Sequence, residues 1–295
     1  MAGLAEQVQS VWRGRAKKQT NETTAKVHTG ERPIVVRRMG FPFQGGLPRW
    51  WFGESVFLTH LINGLNFVFP EGERFFIRSV RAFDEQIKDE GLRQRVRLFF
   101  GQESQHQVEH LHAFEILEQQ GFEIQSFLTW YKDLAYKQLE ARISPLMRLS
   151  ITAALEHFTA IFGDFVLRSD FLKDAHPIMR DLLFWHAAEE IEHKSVTFDV
   201  LQSVDPRYRV RVAGFAIATL TLFFFWMAGT RHLLKQESPE IRNASRADYL
   251  NFFFREAPRI VLDGLDYLRF DFHPDNEDNY QIARDYLEKI GRLAL

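Results

Sequence analysis

One stretch constrains the fold of this 295-residue chain more than any other: Phe184 to Ser195, "FWHAAEEIEHKS". Two histidines and three glutamates fall within eight positions, yet the flanks "RDLLF" and "VTFDVLQSV" carry the pattern of an apolar helix. Burying that many ionisable groups without partners is costly, so the fold must supply counter-charges or a cation. On a helix, residues three, four and seven apart share a face. His186, Glu190 and His193 stand at 0, 4 and 7, and Glu103, His106 and His110 in "FFGQESQHQVEHLH" stand at 0, 3 and 7. Each segment thus presents Glu-x-x-His with one further histidine on the same face.

Two single acids extend the pattern. Glu156 interrupts the apolar run "SITAALEHFTAIFGDF", and its helical neighbours Thr152, Ala153, Thr159 and Ala160 are small enough to leave space beside a carboxylate. Glu73 lies in "FPEGERFFIRSV" with Glu71 as its rival; an acid there also complements a helix N-terminus. In an antiparallel helix pair, residues at one level are symmetric about the turn. Glu73 and Glu103 centre on Lys88 in "KDEG", and Glu156 and Glu190 centre on Lys173 in "KDAHP", both turn-like segments. Four acids, with His106 and His193, therefore converge at one level. A third Glu-x-x-His, Glu109 to His112, is turned ~240° from Glu103 around the helix and falls outside the set.

His110 and His186 are candidates for extra ligands or for partners behind the ligands. Glu189 and Glu192 lie near the His193 face; they orient histidines through the second ring nitrogen, or Glu189 replaces Glu190. His157 adjoins Glu156 but points ~100° away, which makes it an outer neighbour at best. A buried ion-pair network is the rival reading, but the converging acids outnumber the basic residues near them.

The spacing predicts helices over 70–87, 92–120, 145–172 and 177–204, forming a bundle within 46–205. Residues 1–45 are polar and basic and read as a loosely ordered arm. Val212 to Thr230 is 19 residues without a charge, flanked by Arg207, Arg209, Arg211, Arg231 and Lys235. That length is at the threshold of a bilayer span, so the 206–235 helix either contacts a membrane or is buried in the protein. Residues 236–295 read as amphipathic helices packing on the bundle. The N-terminus has no long apolar stretch before a cleavage site, so the expectation is a cytoplasmic, non-secreted protein, membrane-associated if the apolar helix meets a bilayer. The chain has no cysteine, which excludes disulfides, thiolate metal sites and a cysteine nucleophile. A net charge of −2 gives no whole-chain argument for nucleic acid.

One Glu from each of two helices, and Glu-x-x-His from each of two others, is the ligand order of ferritin-like di-iron carboxylate proteins, and this chain resembles that superfamily. More closely, "GLPRWWFGESVFLTHLINGLNFVFPEGERFFIRSVR", "GQESQHQVEHL", "ALEHFTAIFGD" and "WHAAEEIEHKSVTFDV" are similar to a bacterial family catalogued as predicted metal-dependent hydrolases, over about residues 40 to 270. The resemblance implies an all-α fold: a ferritin-like four-helix bundle with additional C-terminal helices. It implies two iron ions, alternatively zinc or manganese, held by Glu73, Glu103, His106, Glu156, Glu190 and His193, with Glu103, Glu156 and Glu190 as the catalytic acids. The first function expected is an O2-dependent oxidase or oxygenase acting on a small or lipid-like organic substrate, with an electron donor that the sequence does not name. The second is a hydrolase using a metal-bound hydroxide. The third is iron binding without turnover. A membrane surface and a homodimeric second copy complete the expected partners; nucleic acid is not among them.

Overall fold

Local signals set most helix ends in the computed structural model, which describes residues 33–293. Ser55 accepts a hydrogen bond from Leu58 N and caps α1 (Val56–Asn66). Pro70 stands in the first turn of α2 (Phe69–Arg81), where its missing N–H costs nothing. Asp89 caps α3 (Glu90–Gln119), and Gly121, at φ +85°, lets the chain leave it. A short α4 (Gln125–Lys132) runs into a π-helical stretch, Asp133–Leu139. Ser144 and Pro145 open α5 (Pro145–Arg168), and Pro177 opens α6 (Pro177–His193). There follow α7 (Val196–Val204), α8 (Tyr208–Leu234), α9 (Pro239–Ala244), α10 (Arg246–Asn251), α11 (Ala257–Leu265) and α12 (Tyr280–Lys289). The fold is all-α; among the described residues the sole β feature is one bridge, Phe52 to Ala175.

The helices that carry the candidate ligands pack on one another: α2 on α3, α5 on α6, α2 on α5 and α3 on α6. The apolar helix α8 lies along α1 and α5. Small residues make that contact close. A Cβ on Gly214 would fall 2.1 Å from Ser150 Oγ and 2.6 Å from the Ser150 carbonyl carbon, and one on Gly64 would fall 2.4 Å from Thr230 Oγ1. The far side of α8, with Ala216, Leu220 and Phe224, is exposed. Both α5 and α8 are long and apolar enough to cross a membrane, yet each has a face packed against other helices here. Of the C-terminal helices, α11 packs on α5 and α12 on α6.

Three boundaries differ from the sequence reading. The helix expected over 177–204 turns at Lys194 and Ser195, where Lys194 Nζ donates to Glu277 O at 2.5 Å and Asn279 Oδ1 at 2.6 Å. The helices expected to reach 87 and 172 stop at Arg81 and Arg168. The expected arm changes most. Its residues 1–32 lie outside the described residues, but Ile34, Arg37, Phe41 and Phe43 are buried. The segment is polar on average, yet three apolar side chains and one buried guanidinium anchor it.

Gly214→Ala should lower stability by about 1–3 kcal/mol, the usual cost of overpacking, seen as a lower denaturant midpoint. Gly45→Ala, which meets no atom within 4 Å, should not. Equal midpoints for the two variants would contradict the close docking of α8.

Candidate metal centre

Four helices bring the candidate ligands together in two adjoining groups. Glu103 (α3), Glu156 (α5), Glu190 and His193 (α6) each offer an atom within 4.8 Å of the others; so do Glu73 (α2), His106 (α3) and His186 (α6). All seven side chains are buried. His193 Nε2 lies 3.2 Å from Glu103 Oε1 and 3.3 Å from both Glu156 Oε2 and Glu190 Oε2. Glu190 stands between the groups: its Oε1 is 2.7 Å from His186 Nε2 and 3.4 Å from His106 Nδ1. His186 Nε2 is 3.9 Å from Glu73 Oε1.

Both carboxylate oxygens of Glu73, Glu103 and Glu156, and His106 Nδ1, are buried without a hydrogen-bond partner. Protein interiors rarely leave such atoms unpaired. A divalent cation in each group would satisfy them, and a carboxylate and imidazole donor set without sulfur suits iron, zinc or manganese. The residues present therefore fit a pair of metal ions.

The contacts behind the ligands reinforce that reading. The outer nitrogen of His106, Nε2, lies 3.1 Å from Glu189 Oε2, and the outer nitrogen of His193, Nδ1, lies 2.9 Å from Gln102 Oε1. Each acceptor fixes a ring and its tautomer, leaving the inner nitrogen free for a metal. Glu189 in turn accepts from Trp185 Nε1 at 2.8 Å and from Arg37 Nη1 at 2.9 Å. Gln102 Nε2 donates to Glu192 Oε2 at 2.7 Å, and Arg37 binds both oxygens of Glu192 at 2.8 Å. His110 Nε2 meets His186 Nδ1 at 2.6 Å, and His110 lies outside both ligand groups.

The family model described as predicted metal-dependent hydrolase matches residues 35–278. The chain belongs to this family. No curated protein and no solved structure matched it.

The metal dependence that the family description carries agrees with the titration of the cluster. Burial pushes the Glu73 carboxyl up to about 8, helped by the neighbouring Glu190 and Glu156 charges. Burial likewise raises Glu156 to about 7 and Glu103 well above the usual carboxylate range. Glu190 also suffers burial, but His193, His106 and His186 overcome it and hold the group well below that range. His106 resists burial through hydrogen bonds to Glu189 and Glu190 and rises to about 9; His193 rises to about 10 beside Glu190 and Glu156. Burial and the charge on His106 press His186 down to about 4. These groups share protons and titrate as one unit.

Other candidates are placed elsewhere. Glu71 turns outward to Arg74 at 2.6 Å and Lys132 at 3.0 Å. His157 is buried away from the centre, with Nε2 3.2 Å from Gly264 O and its ring against Tyr267 and Phe272. Glu109 accepts from Gly40 N at 2.6 Å and pairs with the half-exposed His112, so the third Glu-x-x-His is outside the centre. Glu189 occupies the outer side of His106 and does not replace Glu190. Sequence reasoning missed Arg37 and Gln102. The one signal for Arg37 was charge arithmetic: two further buried acids needed a cation, and nothing in the spacing said it would come from 152 residues away.

Replacing Glu103, Glu156, Glu190 or His193 with Ala should lower bound metal per chain, measured by elemental analysis, while His112→Ala should not. Unchanged metal in the first set would overturn the ligand assignment.

The pH dependence of the metal-free protein has a definite sign. Glu73, His106 and His193 have folded pKa values above their ordinary ones, so the folded state holds more protons than the unfolded state between about 6.5 and about 8. Their contribution declines as pH rises through that window, and the part from His106 and His193 goes on declining to about 9 and about 10. His157 and His186, held near 4 when folded, regain ordinary values on unfolding and oppose this trend only at the low end of the window. Thermal midpoints of metal-free protein should fall from about pH 6.5 to about pH 8, and added metal should flatten or reverse the fall, because metal replaces the protons. A metal-free midpoint that rises across that window would contradict this assignment.

Proposed function

We propose that the chain is a hydrolase whose four ligand-bearing helices form a ferritin-like bundle around two divalent cations. The observation that carries the reading is the pair of adjoining buried ligand groups with unpartnered carboxylates; the family description points the same way. Two bound cations would supply Lewis acidity toward the scissile carbonyl or phosphoryl oxygen and a water that loses its proton near neutral pH.

The chain's own residues do the rest. Glu103, Glu156 and Glu190 balance charge, and Glu190 spans the two groups. His106 and His193 are held at fixed angles by Glu189 and Gln102. Glu73 also lines a largely apolar cavity of about 100 Å³, with Val68, Phe76, Leu155, Ile217 and Phe225. Glu73 would give one carboxylate oxygen to a cation, and its second oxygen would take a proton from water and return it to the leaving group. In ester hydrolysis the water oxygen bonds to the acyl carbon, the acyl C–O bond breaks, and that proton ends on the departing oxygen. The apolar wall keeps other water from competing.

A second reading, O2-dependent oxidation with two iron ions, is favoured by one feature: the centre is rich in carboxylate and opens on an apolar cavity. Two preparations separate them. Zinc- or manganese-loaded protein should hydrolyse ester, amide or phosphate test substrates without O2, and Glu156→Ala should lose that activity by ~100-fold or more, as removal of transition-state charge stabilisation does. If only the iron-loaded, reduced protein turns over and consumes O2, the hydrolase reading falls. Metal uptake with neither activity would indicate binding without turnover.

A further inference from the structure

One side of the cavity that reaches Glu73 adjoins a charged cleft. The cavity wall includes Tyr136 and Glu140, and the same two residues line an open cleft with Arg74, Arg78, Lys132, Lys137 and Arg148. Those five cations face three acids. Glu71 is shared by Arg74 and Lys132; Glu140 is shared by Arg78 at 2.7 Å and Arg148 at 3.2 Å; Asp133 pairs with Lys137 at 2.6 Å. Each of the two shared carboxylates serves two cations, which leaves guanidinium and ammonium donors in excess, and Arg148 Nε is buried with no partner. The wall between cleft and cavity is the π-helical stretch Asp133–Leu139, a backbone form concentrated at functional sites.

We propose that the site takes an amphiphile: an anionic head held by Arg74, Arg78 and their neighbours in the cleft, and a short apolar chain in the cavity, with the reacting bond on that chain at Glu73. The inference rests on the hydrolase reading for the reaction but not for the binding. Charge argues for the head. Guanidinium groups bind carboxylate, sulfonate and phosphate oxygens in pairs, and neutral or cationic heads gain nothing from the cleft. Volume argues for the chain. A dry cavity of ~150 Å³ accommodates benzene, so about 100 Å³ suits roughly four carbon atoms, and a six-carbon chain leaves about two to reach the head. The head and the labile bond are then separate parts of the molecule. The anion stays with one product and serves as a handle, spending remote binding energy on orientation.

The test measures binding by calorimetry on the full metal-loaded chain, with hexanesulfonate as probe because sulfonate is a poor metal ligand. Hexanesulfonate should bind at least ~10-fold more tightly than hexanol and than methanesulfonate. Affinity along the alkylsulfonate series should grow ~3–4-fold per methylene up to about six carbons and then level off. Arg74→Gln with Arg78→Gln should cost hexanesulfonate ~10-fold and leave hexanol unchanged. Thr221→Phe, which fills the cavity from α8, should weaken both. If the double variant does not fold, salt titration of the unaltered protein replaces it: rising ionic strength should weaken hexanesulfonate and not hexanol. Hexanoate and hexyl phosphate, run alongside, distinguish a carboxylate from a phosphate head by which loses more in the double variant. Equal binding of hexanol and hexanesulfonate, or no loss for any anion in the variant, overturns the proposal. Turnover of neutral short esters with no binding of hexanesulfonate would overturn it while leaving the hydrolase reading intact. Hexanesulfonate binding without hydrolytic turnover would do the reverse.

Discussion

Six glutamates, Glu73, Glu103, Glu156, Glu189, Glu190 and Glu192, are buried around one point between four helices, and the guanidinium of Arg37 is paired with only two of them, Glu189 and Glu192. The remaining four have His106, His186 and His193 as their neighbours. Carboxylates in a low-dielectric interior either hold protons or bind cations. In the metal-free chain the solution is to keep protons on Glu73, Glu103 and Glu156 and to concentrate charge on Glu190, His106 and His193. Metal ions would replace those protons, and much of the surrounding structure exists to keep the donors converging until they do.

Support for the centre is layered. Arg37 neutralises the two outer glutamates; Glu189 meets the outer edge of His106, and Gln102, itself donating to Glu192, meets that of His193. That places an N-terminal segment, remote in sequence, in charge of ligand geometry. The apolar helix α8 docks closely, with Gly214 against Ser150 of α5 and Thr230 against Gly64 of α1. Its Ile217, Thr221 and Phe225 line the cavity at Glu73. An apolar helix that reads in isolation like a bilayer span thus serves first to shape the approach to the metal centre. Its exposed stripe remains available for another surface.

Much of the centre was legible without coordinates, because helical periodicity is a strict ruler. Glu103 and His106, like Glu190 and His193, must share a face if their segments are helical. Symmetry about the turns at 82–89 and 169–176 then brings Glu73 and Glu156 to the same level. The choice of Glu73 over Glu71 was not legible: both suit the first turn of α2, and only packing shows that one faces the centre while the other faces Arg74 and Lys132. Nor was the fate of His186 against His110. The two lie on the same faces as the other candidates, but only His186 brings a ring nitrogen near Glu190 and Glu73, while His110 contacts the far nitrogen of that ring.

The sequence by itself determined the all-α class, the order of the main helices, the absence of cysteine chemistry and the shared helix faces of Glu103 with His106 and of Glu190 with His193. These follow from local rules: period, caps, and the cost of burying acids in apolar runs. The tertiary structure decided what lies far apart in the chain and close in space. Arg37 beside Glu189 and Glu192, α8 against α1 and α5, and the gathering of Tyr136 and Glu140 into both the arginine cleft and the cavity lining are long-range arrangements. No periodicity encodes them, since they depend on how finished helices pack, and a single sequence carries no ruler for that.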